Sequence, residues 1–167
     1  MKTKTLCEYL TEGDYSAFLR FVHGNNVLGV TEADECDFYR NAPHAWAKTL
    51  LNSHAPSKEV ERVIFNYHSA ELIAFCDAKW KIYPDSLLWA FEEAPADVAE
   101  KVLQAIRYKP SKEVEIAMLK RNDLELLKAW LQKFRTLDDE SEAVINDDAQ
   151  LGSLKSYYID YVIAHNL

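Results

Sequence analysis

Five histidines, three cysteines and 46 charged side chains are the groups with which this 167-residue chain could do chemistry. Cys36 lies eight residues before His44, and His68 eight residues before Cys76. A thiol beside an imidazole can form a thiolate nucleophile, provided the two meet in space. Eight residues is about two helical turns, so neither pair can touch along one helix. His23, His44, His54, His68 and His165 fall into no HxxH, HExxH or mixed Cys/His spacing, so no metal centre is expected. With four scattered glycines the chain has no phosphate-cradling loop, and no cofactor is expected. The acidic run Asp138-Asp139-Glu140-Ser141-Glu142 with Asp147-Asp148 lacks the alternating ligands and central glycine of a calcium loop. It reads as a solvated helix start and turn. No catalytic constellation emerges, and the chain is read as non-enzymatic.

Charge is unevenly distributed. The formal net charge is −8, which disfavours nucleic acid and anionic membranes on average. Yet residues 101–135 hold nine basic and four acidic side chains, whereas the 32 residues after them hold one lysine and seven acids. Arg107, Lys109, Lys120, Arg121, Lys133 and Arg135, interleaved with Tyr108, Trp130 and Phe134, could contact phosphates and stack bases. At the other end of the scale, no run approaches the roughly 18 apolar residues of a membrane span. Glu8, Glu12 and Asp14 also interrupt the apolar N-terminal stretch before it reaches leader length. Three cysteines without a paired spacing suit a reducing compartment, so a soluble cytoplasmic protein is expected.

The elements that would position these groups are set by an internal repeat. Pro56-Ser57-Lys58-Glu59-Val60-Glu61 recurs identically as Pro110-Ser111-Lys112-Glu113-Val114-Glu115, 54 residues later. Half that interval also recurs: Ile64, Phe91, Met118 and Ile145 are apolar at steps of 27, as are Val63, Ala90, Ala117 and Val144. Glu61, Glu115 and Glu142 share a phase that Leu88 breaks. Each unit reads as two helices of about ten residues, the length at which a helix is marginal alone and needs packed neighbours. Ser57, Asp85, Ser111 and Asp138 are the expected caps of the first helices, their side-chain oxygens accepting orphan amides. Thr31 with Asp34 fits a capping box for an earlier unit. Turns are expected at His68-Ser69, Ala94-Pro95, Asn122-Asp123 and Asn146-Asp147-Asp148.

The fold expected is all-α: a single-domain α-solenoid of about six antiparallel helix pairs, with a compact bundle as the alternative. The units fall near 1–28, 29–55, 56–82, 83–109, 110–136 and 137–167. The pattern Ser-Lys-Glu-Val-Glu followed by Asn-Asp-Leu-Glu-Leu-Leu-Lys-Ala-Trp resembles degenerate helical-hairpin repeats of bacterial proteins, similar in form to HEAT-type and leucine-rich-variant repeats. That resemblance covers residues 56–160 most clearly, and it implies an elongated scaffold with a groove lined by second helices. It carries no catalytic residue.

Function is therefore expected in a surface. The first expectation is a protein-interaction module contacting its partner through Phe75, Trp80, Lys128, Trp130 and Tyr157. A second is nucleic-acid binding through the basic 101–135 segment, in an architecture similar to that of HEAT-like alkylpurine DNA glycosylases. A third is an acidic immunity or anti-defence protein. Tyr157, Tyr158 and Tyr161 either close the core or form an edge for a weak homodimer; otherwise the chain is a monomer.

Overall fold

The computed structural model describes residues 4–24 and 26–167. Among these residues there are helices and no strands. Helices come in pairs: α1 Leu6–Glu12 and α2 Tyr15–His23, α3 Glu32–Asn41 and α4 His44–Ser53, α5 Lys58–Tyr67 and α6 Ala70–Trp80. The series continues with α7 Pro84–Glu92 and α8 Ala96–Ala105, α9 Lys112–Lys120 and α10 Leu124–Phe134, α11 Asp139–Asp147 and α12 Gly152–His165. The chain divides within α7 into two compact units, residues 1–86 and 87–167. In the first unit α1 packs on α3, α3 on α5, α2 on α4 and α4 on α6. In the second unit α8 packs on α10, α10 on α12 and α9 on α11. Within each unit these helices lie against their counterparts one repeat away, which is the packing of a stacked helical repeat.

The turns at His68-Ser69, Ala94-Pro95 and Asn122-Asp123 hold, whereas α11 runs through Asn146 and Asp147 so that its turn begins at Asp148; most of the caps hold too. Thr31, Ser57, Asp123 and Asp138 accept a helix amide at the start of α3, α5, α10 and α11. Three details differ. Asp85 is not a cap: α7 begins at Pro84, whose ring pre-sets the first helical φ, so Asp85 falls one residue inside and pairs with Lys58. Ser111 holds the cap position of α9 but makes no amide bond, its hydroxyl bonding the Glu113 carboxylate instead. Asp34 does not close a capping box; its carboxylate accepts from the Leu6 amide at 2.8 Å, so α3 caps the start of α1.

Two ladders of hydrogen bonds tie successive pairs together. One runs along helix C-termini, whose last carbonyls have no partner within their own helix. Trp80 Nε1 donates to the Leu51 carbonyl at 2.6 Å, Lys133 Nζ to that of Leu103 at 2.7 Å, and Tyr161 Oη to that of Leu131 at 3.3 Å. On the first helices, His68 Nε2 meets the Tyr39 carbonyl at 2.6 Å and Arg121 Nη1 donates to that of Phe91 at 3.5 Å. The other ladder uses buried glutamates one turn into the first helices. Glu61 accepts from the Tyr83 amide at 3.2 Å, ahead of α7, and Glu115 from the Asp138 amide at 2.6 Å, ahead of α11.

Replacing Trp80 by Phe keeps an aromatic ring, though a smaller one, and removes the N–H. The Leu51 carbonyl then loses its donor, at an expected cost of about 1 kcal/mol in a urea melt. An unchanged midpoint would show that water replaces the indole there without loss.

Candidate docking surface on the second helices

The cysteines and histidines are spread over several helices. Cys76 is wholly buried in α6, and burial pushes its thiol well above the ordinary range, with Glu61 and Asp77 adding to the effect. Burial also raises Cys36 and Cys7. His44 stands 3.8 Å from Glu71, and the His68 ring meets the Tyr39 carbonyl at 2.6 Å. Within the acidic run the groups are structural: Asp138 caps α11, Glu140 pairs with Lys112 at 2.6 Å, and Glu142 accepts from the Tyr158 hydroxyl.

The basic segment is dispersed rather than gathered. Lys109 is committed to buried Glu115 at 3.0 Å and to the Thr136 carbonyl, at the starts of first helices. Lys133 is drawn onto the Leu103 and Gln104 carbonyls; burial lowers its pKa, and Arg107 nearby adds to this. Arg121 reaches the Phe91 carbonyl from the α9 end, where Lys120 is also exposed. Arg135 is exposed at the left-handed C-cap of α10, with φ of 68°. Of the interleaved aromatics, Trp130 is wholly buried and edge-on to Phe91 at 5.5 Å. No described helix is long and apolar enough to cross a membrane.

Three surface grooves lie along the even-numbered helices. The first, of about 410 Å³, runs across α2, α4 and α6, with Tyr15, His23, Lys48 and Phe75 on its walls. Another, of about 440 Å³, lies between α8 and α10 and carries Asp97, Glu100, Lys101 and Lys133. The last, of about 570 Å³, lies between α10 and α12, with Lys128, Arg135, Tyr157, Tyr161 and His165 around Leu131. No residue of an odd-numbered helix lines any of the three.

Of the five residues expected to contact a partner, Phe75, Lys128 and Tyr157 line these grooves. Trp80 is partly exposed but anchored by its indole N–H to α4. Trp130 is a correction. Its ring fills the core beneath α10 and its N–H donates to Glu115 at 2.9 Å, so it presents nothing to a partner. The tyrosine cluster splits: Tyr158 is core, whereas Tyr157 and Tyr161 stack at 6.4 Å beside the last groove. Sequence reading missed Lys48, Tyr15 and His23. The available signal for Lys48 was its place one repeat before the aromatic Phe75.

No family model matches the chain, and no curated protein or solved structure is significantly similar to it.

Proposed function

We propose that this is a non-catalytic helical-repeat protein that binds another protein on the exposed surface of its second helices. The observation that carries this reading is the segregation of the grooves. The three grooves described are lined by even-numbered helices, while buried Glu61 and Glu115 on odd-numbered helices accept from the main chain ahead of α7 and α11. Grooves that mix apolar and polar side chains on rigid elements suit recognition of side chains from a partner. The unpaired cysteines support a cytoplasmic setting.

The test compares bulky substitutions on the two kinds of helix. Ala45→Arg and Ala129→Arg fill grooves on the even-numbered helices, whereas Glu59→Arg and Glu113→Arg alter exposed positions on odd-numbered ones. A partner captured by the wild-type chain should be recovered at least about 10-fold less by the first two variants and equally by the second two. Loss confined to the odd-numbered variants, or recovery of nucleic acid alone, would overturn the reading.

A further inference from the structure

A side-chain arrangement recurs once in each unit. Lys48 is the fifth residue of α4, and its ammonium lies over the ring of Phe75, the sixth residue of α6, at 5.2 Å. Lys128 is the fifth residue of α10, and its ammonium lies over the ring of Tyr157, the sixth residue of α12, at 5.6 Å. Each pair opens on a groove: Lys48 and Phe75 on the one that also holds Tyr15 and His23, Lys128 and Tyr157 on the one that also holds Arg135 and His165. Neither groove has an aspartate or glutamate in its lining, although the chain carries a net charge of −8. The α8–α10 groove is the built-in contrast. At the corresponding places it has Glu100 and Lys101 on α8 and Ala129 on α10, and it adds Asp97.

We infer that the Lys48/Phe75 and Lys128/Tyr157 grooves are two copies of one recognition site for an acidic peptide segment, a carboxylate meeting each lysine and a neighbouring apolar side chain covering each ring. This rests on the protein-binding reading above and names the chemistry of the partner. A lysine already placed over an aromatic face gives a carboxylate a positioned cation and leaves the rest of the ring for hydrocarbon. The Lys128–Glu125 pair does not block this, because an exposed ion pair three residues apart on one helix is weak and exchanges readily. Each groove has the volume of a few side chains, which suits a short segment. One full cation in the first groove and two in the second are too few to neutralise a run of phosphates, and the global charge repels nucleic acid.

The test is a titration of the isotope-labelled full chain, read by amide chemical shifts. The probe is an acetylated, amidated peptide of four Glu-Glu-Phe repeats; its Gln-Gln-Phe counterpart and a dodecamer of oligo-dT are titrated in parallel. Saturable shifts on α4/α6 and α10/α12, with the Gln peptide at least about 10-fold weaker, are expected. Lys48→Glu should abolish the first set alone and Lys128→Glu the second alone. Equal binding of the Gln peptide, shifts centred on the α8–α10 groove, or tighter binding of oligo-dT would overturn the inference. If a captured protein partner maps to the even-numbered helices while the acidic peptide binds nowhere, the inference fails and the protein-binding reading stands. If that partner maps to the odd-numbered helices, both fall.

Discussion

Glu115→Ala is expected to destabilise the protein by about 3–5 kcal/mol. Glu115 is fully buried in α9 and serves three donors. Its Oε2 accepts from Trp130 Nε1 at 2.9 Å and meets Lys109 Nζ at 3.0 Å, while Oε1 accepts from the Asp138 amide at 2.6 Å. Truncation strands an indole N–H and a helix-start amide away from water and leaves Lys109 without its anion. An apolar replacement such as Glu115→Leu should do little better, because filling the volume does not satisfy those donors. Glu115→Gln keeps one carbonyl acceptor and should cost roughly half as much. Urea melts followed by circular dichroism decide the matter. A midpoint for Glu115→Ala indistinguishable from wild type would mean that water enters and solvates the site.

Stability is also expected to fall as pH rises from about 4.5 to about 7. Glu35 and Glu61 are buried near the starts of α3 and α5. Burial pushes the Glu35 carboxyl up to about 7, with Glu32 and Asp34 adding repulsion. Burial likewise takes Glu61 up to about 7; Ser86, the Tyr83 amide and Lys58 oppose the shift and Asp77 reinforces it. Between 4.5 and about 7 the folded chain holds protons that the unfolded chain has released. Folding therefore becomes less favourable with increasing pH in that window and levels off above it.

Each group should contribute on the order of 1–3 kcal/mol to the decline. His54 stands 2.9 Å from Glu35, and burial lowers its pKa from 6.5, so it acts in the opposite sense as pH falls. The Glu35→Gln/Glu61→Gln double variant removes both carboxyls together. It should be more stable than wild type at pH 8 and lose most of the difference between pH 5 and pH 8. A double variant with the same pH profile as wild type would show that neither carboxyl titrates in this range.

The repeat was legible because apolar side chains must return to one face every helical pair, and no other arrangement of Ile64, Phe91, Met118 and Ile145 explains their spacing. Turns were legible for a related reason: Pro95 and Asn122-Asp123 favour the breaks at which they stand. The fate of Trp130 was not legible. α10 has apolar or amphipathic groups on two sides, and spacing alone does not say which side meets α8 and α12 and which meets α9. Nor was the role of the in-phase glutamates. Glu61 and Glu115 have the look of solvated helix-start acids, and only the neighbouring pair supplies the amide that makes burial tolerable. Glu35 escaped notice because it stands 26 rather than 27 residues before Glu61. The groove pairs were half visible: Lys128, Tyr157 and Phe75 as expected partner contacts, Lys48 not at all.

The carbonyl ladder bears on how such a chain can change over generations. Its acceptors are main-chain oxygens, present whatever the residue, and its donors are Trp80, Lys133, Tyr161, His68 and Arg121. Five residue types perform one task. A joint that asks only for a long side chain with a polar hydrogen leaves selection little to preserve letter by letter. Copies of a duplicated unit can then diverge until a single hexapeptide is all that still reads alike, while the backbone they build keeps its period.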